Sequence, residues 1–73
     1  MEKVNFYAVV NEDGVDLYAD GDAYLAVDVF TKAPPRSKVI LTVWDSEGDD
    51  AHLLTPQIDV TELVRQAIAK GKA

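Results

Sequence analysis

Apolar residues alternate with a period of two in separate stretches, acid- and glycine-rich breaks divide them, and the C-terminal segment is amphipathic. Together these features predict an α+β fold: a single small domain, residues 1–73, with an antiparallel four-stranded sheet and two helices in the order ββαββα. One segment can be read two ways. Its second reading gives a five-stranded meander with one C-terminal helix.

Residues 3–10 alternate, with Val4, Phe6, Ala8 and Val10 on one face and Asn5, Tyr7 and Val9 on the other, as a strand requires. Asp13-Gly14 then gives a hairpin signal. Val15, Leu17 and Ala19 continue the face of Phe6 on the return strand, and Asp16 and Tyr18 the opposite one. Residues 23–33 are the ambiguous segment. As a helix they start at Asp20 or Asp22, whose oxygen can cap the first turn. Ala23, Ala26, Val29, Phe30 and Ala33 then form one stripe, and Pro34-Pro35 ends it. As a strand, Leu25, Val27, Val29 and Thr31 alternate against their neighbours.

Residues 38–45 form a strand with Val39, Leu41 and Val43 on one side and Ile40, Thr42 and Trp44 on the other. Residues 45–50, DSEGDD, make a turn. Residues 51–55 form a short strand closed by Pro56. Residues 59–70 are a helix with Asp59 or Thr61 as cap, Glu62 in the first turn and Lys70 in the last. The expected core joins Val39, Leu41 and Val43 to Leu63, Val64 and Ile68.

Composition narrows the function. The chain has 73 residues, 13 acids against 7 bases, a net charge of −6 and no cysteine. So short a domain hides only about 60% of its unfolded surface, which keeps its core thin. Without cysteine there are no disulfides, thiolate metal sites or cysteine nucleophiles. A small secreted domain usually needs such staples, so a cytoplasmic location is expected. The residues Met1-Glu2-Lys3-Val4 do not read as a secretion signal, and no apolar run exceeds five residues, too few to span a membrane. Acidity argues against direct nucleic-acid binding, which depends on Lys and Arg.

Motifs for chemistry are sparse. His52 is the single histidine, and Ser37 and Ser46 are the two serines. None stands in a nucleophile context, so no catalytic residue and no enzyme activity are expected. Asp45, Glu47 and Asp49 alternate as calcium ligands can, but the loop lacks the glycine and terminal glutamate of an EF-hand. The glycines are isolated, with no phosphate-cradling loop. No metal and no cofactor is expected.

Two features point to a protein partner. The first is the sheet face opposite the expected core, where Tyr7, Val9, Tyr18, Ile40, Thr42, Trp44 and Leu54 would gather. Apolar patches of this kind usually mark interaction sites. The second is an acidic pole, where Asp20 and Asp22 meet Asp45, Glu47, Asp49 and Asp50. The expected partner-binding residues are therefore Tyr7, Tyr18, Ile40, Trp44 and Leu54 with the acids Asp45, Glu47, Asp49 and Asp50. The expected function is a small acidic, non-enzymatic protein-binding module. It would act as an inhibitor occupying a basic, nucleic-acid-handling protein, as phage-type or mobile-element accessory proteins with anti-defence roles do. The alternative is a structural module that forms a homodimer through its aromatic sheet face.

Overall fold

The computed structural model describes residues 2–46 and 51–71. The elements are β1 (Lys3–Val10), β2 (Asp16–Asp20), α1 (Ala23–Lys32), β3 (Lys38–Asp45), β4 (His52–Leu53), β5 (Ile58–Asp59) and α2 (Thr61–Gly71). Every pairing is antiparallel, in the order β2-β1-β3, with β4 and β5 both along the other side of β3. The α+β class with two helices is the observed one, and the ambiguous segment is helical. The predicted strand 51–55 shortens to β4, and β5 follows beyond it where no strand was expected. Pro56 lies between them and has no N–H for a ladder. Just before it, the Thr55 hydroxyl accepts the Val43 amide at 3.2 Å, where a strand would offer a carbonyl.

The first hairpin does not close on a two-residue turn. Gly14 N–H donates to the Asn11 carbonyl (3.0 Å), and the Asn11 amide donates to the Val15 carbonyl (3.0 Å). The Asn11 side chain accepts from the amides of Asp13 and Val15. Gly14, at φ 82°, takes the left-handed position that glycine adopts without a Cβ clash. Across the hairpin, Tyr18 stands opposite Val9 but Asp16 stands opposite Val10, so Leu17 is an extra residue in a β-bulge. The bulge breaks the alternation of β2 and puts Asp16, not Leu17, on the face of Ala19.

The faces of β1 and β2 are therefore the reverse of those expected. Register pairs Val9 with both Val39 and Tyr18, and Tyr7 with Leu41. Val9, Ala26 and Val39 are fully buried, and Tyr7, Tyr18, Val29, Phe30, Val60 and Val64 pack around them. The helices thus cover the side of Tyr7, Val9 and Tyr18. The face of β3 is the expected one, with Val39 in the core and Leu41 and Val43 half-buried on the same side. Leu63 is a further correction, since it is 65% exposed while Thr61, Val64 and Ile68 turn inward.

Both helices are anchored by polar bonds. The Asp22 carboxylate accepts the amides of Tyr24 (2.9 Å) and Leu25 (3.2 Å), capping α1. The Tyr18 hydroxyl donates to the Asp22 carbonyl and accepts its amide. In α2 the buried Thr61 hydroxyl accepts the Val39 amide (2.9 Å) and donates to Asp59. The Val60 amide donates to the Val39 carbonyl (3.0 Å). Arg65 lies 5.8 Å from the Phe30 ring centre, a cation–π contact between the helices.

Candidate interaction surface

Because both helices lie on one face, the other face of the sheet is open among the described residues. Its surface is built in rows across β2, β1 and β3. Asp16, Val10 and Lys38 form the first row, and Ala19, Ala8 and Ile40 the second. Phe6 with Thr42 and Val4 with Trp44 follow, and Leu53 of β4 extends the last row. The indole N–H of Trp44 donates to the Thr42 hydroxyl at 2.8 Å. That bond fixes the ring along the strand, and Thr42 is only 9% exposed although it belongs to the open face. A groove of about 480 Å³ runs along these rows from Gly14 and Asp16 to Trp44. A second hollow of about 280 Å³ adjoins it between Val4, Phe6, Trp44 and Ala51.

The expected site residues divide. Ile40 and Trp44 line the groove. Tyr7 and Tyr18 do not, because they pack beneath the helices. Leu54 is 40% exposed and its amide bonds the Val43 carbonyl, but Leu53, not Leu54, faces Trp44 in register. Asp45 ends β3 opposite Lys3 and His52. Glu47, Asp49 and Asp50 lie outside the described residues. The ends of β2 and β3 point to the same end of the sheet, as the acidic pole required, but β2 stops opposite Tyr7 while β3 continues to Lys3.

Sequence reasoning missed Phe6, Val10, Ala19, Asp16 and Lys38. The even positions of β1 carry more apolar residues than the odd ones, which made them look like the core face. Only the pairing of Val9 with Val39 reveals the reverse. The bulge at Leu17 carries no sequence signal beyond the long Asn11–Gly14 turn.

Elsewhere the polar side chains are spent on structure. The buried Ser37 hydroxyl donates to the Pro34 carbonyl (2.7 Å) within the turn that leads into β3. Arg36 sits in that turn at φ 70° and pairs with Glu12 at 2.8 Å. Hydrogen bonds from the Thr61 hydroxyl and then the Thr61 amide hold the Asp59 carboxyl below its usual range, with smaller help from Lys38 and Arg65. Among the described residues no three His, Asp or Glu side chains gather as metal ligands, and no helix is long and apolar enough to cross a membrane. Compared with known protein families, with curated proteins and with solved structures, the chain shows no match.

Proposed function

We propose that this protein is a non-enzymatic protein-binding module whose working surface is the open face of its sheet. The observation that carries this reading is the groove across that face, where Phe6, Ile40 and Trp44 line one continuous surface. Contiguous apolar surface of this kind is costly in water unless a partner covers it, and Trp is among the residues most enriched at binding hot spots. The action that suits such a scaffold is occlusion, in which the module covers a surface of another polypeptide. With a net charge of −6, it would meet a basic protein surface faster than an acidic one.

Site-specific photo-crosslinking in cells that express the protein tests this directly. A photoreactive residue at Ile40, in the groove, should give abundant adducts with polypeptide, whereas one at Asp28, exposed on the outer side of α1, should give few. Equal and low yields from both positions would overturn the proposal.

A further inference from the structure

We infer that the open face closes against a second copy of this chain, about a two-fold axis that runs along β1. The inference rests on the reading that this face is the interaction surface, and it names the partner. Two sheets that pack face to face lie about 10 Å apart with strands nearly aligned, so each row of one sheet meets a row of the other. A dyad along the central strand exchanges the β2 side of one copy with the β3 side of the other. The face is complementary to itself under that exchange in charge, in size and in outline.

Charge comes first. Asp16 and Lys38 both stand opposite Val10, on either side of β1, and both line the groove. They are two strand spacings apart, about 10 Å, and no ion pair among the described residues joins them. The dyad sets Asp16 of each copy over Lys38 of the other, giving two ion pairs across the interface. Size comes next. In the second row Ala19 and Ile40 flank Ala8, and the same operation sets the large Ile40 over the small Ala19 on both sides.

Outline is the third match. β2 ends at Asp20, opposite Tyr7, while β3 continues to Asp45, opposite Lys3. Gly21 passes the Asn5 carbonyl so closely that a Cβ there would stand 3.3 Å from it, and the chain then leaves for α1 on the covered side. The sheet therefore lacks its β2 corner beside Val4 and Phe6, and carries Trp44 at the corresponding β3 corner. The dyad lays each Trp44 over the other copy's missing corner, against Val4 and Phe6. The eight residues of β1 span about 27 Å and three strands about 10–15 Å, a footprint of about 300–400 Å² per copy, smaller than a standard stable interface, so the dimer is weak and reversible.

Sedimentation of the full chain from low micromolar to submillimolar concentration should show a reversible monomer–dimer equilibrium. Trp44→Ala should weaken it about thirtyfold or more, the scale of a hot spot. The charge pairing gives a sharper test. Asp16→Lys and Lys38→Asp should each weaken self-association about tenfold or more, because each puts like charges together twice. Mixed in equal amounts, the two variants should pair preferentially with each other, and native mass spectrometry should count heterodimers above the statistical half. Both positions are exposed, and circular dichroism of the dilute variants reads the fold independently. Self-association unchanged in both charge variants, or no preference on mixing, would overturn the proposed axis. A wild-type chain that stays monomeric throughout would overturn the second copy as partner. Crosslinks from position 40 to a different polypeptide would then still uphold the binding face itself.

Discussion

The two faces of the sheet divide the apolar residues unequally. The covered face buries two valines and an alanine completely, Val9, Val39 and Ala26, with aromatic residues only part-buried around them. The open face carries Phe6, Ile40 and Trp44 along a groove that no helix covers. Here the covered face relies on polar anchors at the two helix starts as well as on packing, while Phe6, Ile40 and Trp44 stay on the face that no helix covers. On the proposed reading, the division separates stability from recognition.

That separation can be broken experimentally, with every measurement made at dilute concentration so that association does not add to stability. Val39→Ala should have the largest effect, a loss of about 2–3 kcal/mol in denaturant unfolding, because a buried branched side chain leaves both lost transfer energy and a cavity. Phe6→Ala removes more atoms, but no helix covers Phe6, which is half-buried, and the change should cost less, about 1–2 kcal/mol. If Phe6 costs more than Val39, the roles of the two faces are exchanged.

A second pair compares two hydroxyls. Thr61→Val leaves the buried Val39 amide without its acceptor and should cost about 1–3 kcal/mol, with faster hydrogen exchange at Val39. Thr42→Val removes the acceptor of the part-buried Trp44 indole bond and should cost less, about 0.5–1.5 kcal/mol. Next, Asp22→Ala should cost about 1 kcal/mol by uncapping α1, read as helix loss on mild heating.

The smallest effect is on pH. Asp59 has a lowered carboxyl pKa in the folded protein, so its bonds to Thr61 contribute stability above the unfolded value of about 4 and lose it as pH falls through the folded value. Exposure keeps this contribution small. Asp59→Asn should lower stability slightly at neutral pH and flatten the acid limb of the stability curve, so that variant and wild type converge as the pH falls below the folded value.

The sequence carries the class, the helices and the inner side of β3 because each rests on local pattern. Asp22 before an apolar stripe, Pro34-Pro35 after it and the clean alternation of 38–45 are all visible within a few residues. What it does not carry is the relation between strands. β1 is apolar on both sides, so its inward face depends on register with Val39, and β2 depends on a bulge at Leu17. For this reason the pattern of 38–45 places Ile40 and Trp44 on the face away from Val39, whereas Tyr7 and Tyr18, which periodicity groups with them, pack beneath the helices. The pairing of Asp16 with Lys38 on one row follows from the bulge and was beyond reach of any periodicity.

The two flanks of the sheet decide how many copies can join. A bare strand edge invites another strand and then another, which is the route to fibres. On one flank β2 is five residues long, bulged, and begins and ends in aspartate. On the other, two-residue segments interrupted by Pro56 screen β3. Neither flank offers a long, flat template for sideways growth. A face that pairs by a dyad is used up when two copies meet. If two copies meet as proposed, such an architecture admits a closed pair and withholds an open-ended polymer.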